Sequence, residues 1–118
     1  MLTKEYIKEL KNNGNGAIGE VIKRYNDSSS LTFILENLGQ LPKDFDGSFL
    51  PDLLTHKNST VRLWAVKTIG KLEKEEFLPL LKQTALNDSN TNVRREAVSS
   101  IGKSQERTGN LDRNSSRQ

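Results

Sequence analysis

Three short strings recur at one fixed spacing: Val61-Arg62 as Val93-Arg94, Ala65-Val66 as Ala97-Val98, and Ile69-Gly70-Lys71 as Ile101-Gly102-Lys103, each 32 positions further on. Seven identities in a single register mark a duplicated structural unit. A unit this short cannot bury its apolar face alone, so it is stable only when stacked on a similar neighbour. A fainter copy lies 31 residues upstream, with Ile34-Leu35 in place of Ala65-Val66 and Leu38-Gly39 in place of Ile69-Gly70, and it lacks the arginine.

Within each unit the apolar residues follow a helical period. Val61, Ala65, Val66 and Ile69 fall at i, i+4, i+5 and i+8, which puts them on one face of a helix. Asn58 or Ser59 before the first helix and Asn90 before the second can accept hydrogen bonds from the free N–H groups of an opening turn. Gly39, Gly70 and Gly102 stand where a left-handed residue would end each helix. A second set of helices is announced by Phe49-Leu50-Pro51-Asp52-Leu53-Leu54 and Phe77-Leu78-Pro79-Leu80-Leu81-Lys82, because proline is tolerated in a first helical turn. Upstream, Leu2, Tyr6, Ile7 and Leu10 predict a short helix, and Ile18, Val21, Ile22 and Tyr25 predict another.

The predicted architecture is all-α: a short α-solenoid of about three helical hairpins over residues 1–103. An N-terminal helical pair spans 2–25, followed by units at about 28–58 and 59–90 and an incomplete one at 91–103. From Ser104 the only large apolar residue is Leu111, so residues 104–118 are expected to form a disordered polar tail.

Composition excludes several classes of chemistry. There is no cysteine and one histidine, so neither a disulfide framework nor a Cys/His zinc site can be built, and no cofactor is expected. No apolar run approaches a membrane span, and the charged opening Met1-Leu2-Thr3-Lys4-Glu5 is unlike a signal peptide, which makes the cytoplasm the expected compartment. Of the net charge of +3, residues 103–118 carry +2, from Lys103, Arg107, Arg113 and Arg117 against Glu106 and Asp112. The repeats themselves therefore lack the broad basic stripe that dominates nucleic-acid affinity.

The strings HKNSTVRLWAVKTIGKL and NDSNTNVRREAVSSIGK resemble the HEAT-like repeats of the phycobilisome-lyase type, whose pattern is an acidic loop, Val-Arg, then alanine and an Ile/Leu-Gly ending. The likeness covers roughly Leu31 to Lys103. It implies a ladder in which each arginine reaches an acidic or amide side chain of an inter-repeat loop. Carried over by position, Arg62 would pair with the Asp27 or Asn58 region, and Arg94 with Asn58, Asp88 or Asn90. Leu31 or its neighbours occupy the place of the arginine in the first unit, and His56 and Asn58 stand where acids are usual, so the ladder is incomplete. The family spans scaffolds, bilin lyase subunits and accessory regions of bacterial DNA methyltransferases. The resemblance thus implies either a non-catalytic module that binds a protein partner or the accessory part of a larger enzyme. Direct nucleic-acid binding, as in HEAT-like DNA glycosylases, is a third reading.

Among the remaining motifs, Gly14-Asn15-Gly16-Ala17-Ile18-Gly19 matches GxGxxG, but the residues before it are polar and helically spaced, unlike the buried strand that the dinucleotide fingerprint requires. His56 follows Leu53-Leu54-Thr55 at a helix end, where a histidine is favoured by the helix dipole, and no nucleophile–base pattern surrounds it. Arg62, Lys67, Lys71, Arg94 and Arg95 interleave with Glu73, Glu75, Glu76 and Glu96, which predicts a solvated mixed face. The candidates for partner contact are His56, Trp64, and Asp52, Lys82 and Gln83 on the second set of helices, which the resemblance implies lines the ligand-facing side. The last helix, with Val93, Ala97, Val98 and Ile101, lacks a following helix to cover it, and self-association through that face is expected.

Overall fold

A computed structural model of the chain describes residues 2–13 and 16–108. Side-chain caps set the starts of four helices. Thr3 accepts from the N–H of Tyr6 at 3.0 Å and opens α1, Lys4–Asn12; Asp27 accepts from Ser30 N–H at 3.0 Å and opens α3, Ser28–Glu36. Asn58 accepts from Thr60 and Val61 N–H and opens α5, Ser59–Leu72. Asn90 does the same for Asn92 and Val93 at the start of α7, Thr91–Thr108. Each cap satisfies orphan donors of the first turn.

Between these lie α2, Ala17–Arg24, and two helices that begin with proline in their first turn: α4, Leu50–Leu53, and α6, Leu78–Asn87, the latter entered through a 3-10 turn at Glu75–Phe77. The two proline helices differ in length, α6 having 10 residues while α4 is a four-residue stub. Residues 37–49 supply packing by another route: Phe45 is buried and meets Phe49 edge to face at 6.1 Å between ring centroids.

The helices form a slab of 54 × 32 × 18 Å, its thin dimension about that of two packed helices. α5 is central, packing on α3, α4 and α7, while α6 packs on α7 and α1 on α2. One core runs the length of the slab, from Ile7, Ile18 and Val21 through Leu31, Ile34, Leu35 and Leu38 to Val61, Val66, Ile69, Leu81, Val93 and Ala97. Among the described residues no strand occurs.

Three boundary expectations are corrected. Gly39 has φ +61° and follows α3 as predicted, but Gly70 and Gly102 lie inside helices rather than at their ends. The left-handed residue after α5 is Glu73, φ 52°. Gly70 instead permits a close crossing: a Cβ there would stand 2.5 Å from Ser100 Oγ and 3.0 Å from Ser100 Cβ. Ser100 is fully buried and donates its hydroxyl to the carbonyl of Val66 at 3.2 Å, which ties α7 to α5. Helix α7 also runs past the expected boundary at Lys103 to Thr108; residues 109–118 lie outside the described residues. Finally, Val93 and Ala97 are buried against α5 and α6, so the open part of α7 is narrower than predicted, with Val98 60% exposed and Ile101 half-buried.

Candidate partner-binding groove

The loops before α5 and α7 are built alike. Nδ1 of His56 accepts the N–H of Asn58 at 3.0 Å, and Oδ1 of Asp88, 32 residues on, accepts the N–H of Asn90 at 2.8 Å. Arg62 Nη1 donates to the His56 carbonyl at 2.8 Å; Arg94 Nη1 donates to the Asp88 carbonyl at 2.7 Å. In both units the side chain of residue i organises the turn and its carbonyl holds the arginine of the same unit.

The Arg62 rung runs opposite to the predicted direction, whereas Arg94 meets Asp88, one of its predicted partners, through the backbone carbonyl. In the Asn58 region Arg62 meets only the carbonyls of His56 and Lys57, no side chain of Asp27 or Asn58; its carboxylate partner lies forward, at Asp88, with Nε on Oδ2 at 2.9 Å and Nη2 on Oδ1 at 3.1 Å. This two-pronged pair is largely buried, so Arg62 is not part of a solvated mixed face. Burial by itself would raise the Asp88 pKa, but the hydrogen bonds from Arg62 and Asn90, with the charges of Arg62 and Arg94, outweigh it and hold the carboxyl below its ordinary value. Asp27 serves as the cap of α3, and its pKa is lowered chiefly by its hydrogen bonds with Ser30. Arg94 pairs with no carboxylate among the described residues; its second contact is Thr91 Oγ1 at 3.0 Å.

The same geometry accounts for His56. Leu31 stands on α3 where Arg62 stands on α5, so a carboxylate at position 56 would lack the guanidinium that neutralises Asp88. A neutral ring keeps the turn's acceptor without a half-buried, uncompensated charge. Because Nδ1 is engaged as acceptor, the neutral ring carries its proton on Nε2.

Between these two loops lies a groove of about 470 Å³. Pro51 of α4 and Leu54, Thr55 and His56 beyond it line one side; Leu80, Gln83, Thr84 and Asn87, one face of α6, line the other, with Arg62 and Asp88 between. The amides of Gln83 and Asn87 make no hydrogen bond to described residues. Two of the predicted contact residues, His56 and Gln83, are thus brought together. Asp52 belongs to a separate depression with Phe49, Leu53 and Glu20, Trp64 is half-buried under the ammonium of Lys67 at 5.0 Å, and Lys82 is exposed. Of the GxGxxG string, Gly14 and Asn15 lie outside the described residues, and Gly16 to Gly19 open α2.

A cationic cluster escaped the sequence reading. Lys11 Nζ donates to the carbonyls of Leu38 and Gln40 at 2.7 and 2.6 Å, and Lys71 Nζ to that of Gly39 at 3.2 Å, so two ammonium groups bind the carbonyls just beyond α3. Burial, with the charges of Lys11, Lys103 and Lys67, lowers the Lys71 pKa. Lys71 and Lys103 share the 32-residue register and Lys67 lies one turn before Lys71, so three of the four were visible as a pattern.

The profile of HEAT repeats matches residues 47–108, more than half of the chain, and the chain belongs to the HEAT repeat family. Neither a curated protein nor a solved structure gives a significant match.

Proposed function

We propose that the chain is a non-catalytic protein-interaction or scaffold module and that the groove between α4 and α6 receives a polypeptide segment. The observation that carries this reading is the groove's lining: apolar Pro51, Leu54 and Leu80 beside unengaged amides on Gln83 and Asn87 and an N–H on His56. Apolar contact with a few fixed polar groups is the pattern by which grooves hold peptides. The groove is held open by two loops that the Arg62–Asp88 pair locks together, so it is preformed and costs little ordering when filled.

Leu80→Arg and Gln83→Arg test this. Both residues lie on the groove face of α6, so partner retention in affinity capture is expected to fall at least about tenfold while helicity is unchanged. Equal retention by both variants overturns the groove assignment, and robust hydrolytic or transfer turnover by the purified chain overturns the non-catalytic reading.

The lysine cluster favours a second reading, contact with the phosphates of a nucleic acid by Lys67, Lys71 and Lys103. Affinity that falls steeply with salt and is lost in Lys67→Ala/Lys103→Ala supports it; a salt-independent interaction removes it. Membership in the phycobilisome-lyase branch belongs to the proposal as well, supported by the Val-Arg and Ile-Gly-Lys strings.

A further inference from the structure

The ammonium groups gathered beyond the end of α3 outnumber the acceptors that hold them. Lys11 comes from α1 and sets Nζ 2.7 Å from the carbonyl of Leu38 and 2.6 Å from that of Gln40, while Lys71 comes from α5 and sets Nζ 3.2 Å from the carbonyl of Gly39 between them. Two cations thus flank one short stretch of backbone, and both have N–H groups to spare. Two more lysines join them. Lys67 lies one turn before Lys71, its ammonium 5.0 Å from the centre of the Trp64 ring. Lys103 lies nearly one turn past Ser100, and Ser100 crosses α5 in contact at Gly70, the residue before Lys71. None of the four is in an ion pair among the described residues. The crowding is felt at Lys71, whose charged form is disfavoured by desolvation and then by Lys11, Lys103 and Lys67.

We propose that this lysine cluster is a binding site for a compact anion of adjacent phosphates, a di- or triphosphate group that is either free or carried on a nucleotide. Phosphate oxygens are held by charged N–H donors, and the carbonyls fix Lys11 and Lys71 before any ligand arrives, so little ordering is lost on binding. Charge and extent both select this ligand. The four lysines carry more charge than one phosphate group neutralises, which favours a diphosphate over orthophosphate. They also converge on a single spot, whereas the repeats lack the broad basic stripe that an extended nucleic acid follows. Because the anion joins α1 to α5 and α7 in the folded chain alone, it also raises stability. The cluster is separate from the groove between α4 and α6, so neither proposal rests on the other, and it differs from the nucleic-acid reading of the same lysines in the size of the anion.

The probe is inorganic pyrophosphate, titrated into the full chain by isothermal calorimetry at constant ionic strength, with orthophosphate, ADP and a short single-stranded oligonucleotide as parallel arms. Saturable, one-to-one binding of pyrophosphate is expected, about tenfold or more tighter than that of orthophosphate. Lys67→Gln/Lys103→Gln should weaken it about tenfold or more, while Lys82→Gln, which removes an exposed lysine outside the cluster, should leave it unchanged. Neither Lys67 nor Lys103 is tied to a described residue by a hydrogen bond, so the double variant keeps its fold, which circular dichroism checks. The basic residues beyond position 103 are present in every variant, so a loss is assigned to the cluster. A thermal midpoint that rises with pyrophosphate in the parent chain and not in the double variant is the second readout. Tighter binding of ADP than of pyrophosphate makes a nucleotide the source of the diphosphate; the reverse order makes it the free anion. Absence of saturable pyrophosphate binding, binding no tighter than that of orthophosphate, or binding that the double variant retains overturns the proposal. Oligonucleotide binding that the double variant loses, without pyrophosphate binding, overturns it in favour of nucleic acid.

Discussion

Arg62 holds both carboxylate oxygens of Asp88 across 26 residues of sequence, and it does so while its third nitrogen is fixed on the carbonyl of His56. One guanidinium thereby ties the loop before its own helix to the loop before the next. Removing one partner leaves the other as a largely buried charge without compensation. Asp88→Ala is expected to destabilise the chain by about 3 kcal/mol in urea unfolding, and the Arg62→Met/Asp88→Leu double variant by less than the sum of the two single changes. Additive losses would mean that the pair is not coupled.

Acid should expose the same interaction. Asp88 has a pKa below its ordinary value in the folded chain, so its contribution to stability is complete above the unfolded-state value, about 3.9, and is lost as pH falls through the folded one. The urea midpoint is expected to drop between about pH 5 and pH 2, and the drop should be shallower in Asp88→Asn, which has no proton to bind. The exposed cap Asp27 shifts in the same direction and remains in both proteins, so the difference between the two curves isolates Asp88.

Gly70 and Gly102 are equivalent by sequence and opposite by environment. Gly70→Ala drives a methyl group into Ser100 at the buried crossing of α5 and α7 and should cost about 1–3 kcal/mol. Gly102→Ala meets open space in a helix and should stabilise by about 0.5–1 kcal/mol. Thermal unfolding of the two variants, with midpoints moving in opposite directions, is the check; a shared direction would refute the difference in packing.

Caps are the remaining local test. Asn58→Ala removes the acceptor of two N–H groups at the start of α5 and is expected to cost about 1 kcal/mol, whereas Asn58→Gly should cost only a few tenths. Urea titrations of the pair distinguish a cap from a packing role.

The repeat register, the asparagine caps and the core face of α5 could all be read from residue spacing, because helical period and capping chemistry are local properties. Three features could not. Gly70 and Gly102 look like helix ends, since a glycine chosen for a left-handed turn and one chosen for a close crossing leave the same letter. The direction of the Arg62 rung depends on how one hairpin tilts over the next, and both directions place an acceptor within reach of the side chain. The lysine cluster gathers Lys11 with Lys71 only after α1 has folded back onto the end of α3. His56 in the site of an acid was visible, but its reason, the missing arginine at Leu31, emerged from the shared geometry of the two loops.

The central place of α5 has a consequence for how the chain opens. That helix buries Val61, Ala65, Val66, Thr68, Ile69 and Gly70 and touches α3, α4 and α7, so no neighbouring helix can detach without uncovering it. Its amides should therefore exchange with deuterium only through global unfolding, while those of α1 and of the last turns of α7 exchange through local fraying. The molecule would melt from its ends inward, with a single helix acting as the keystone of an otherwise graded lattice.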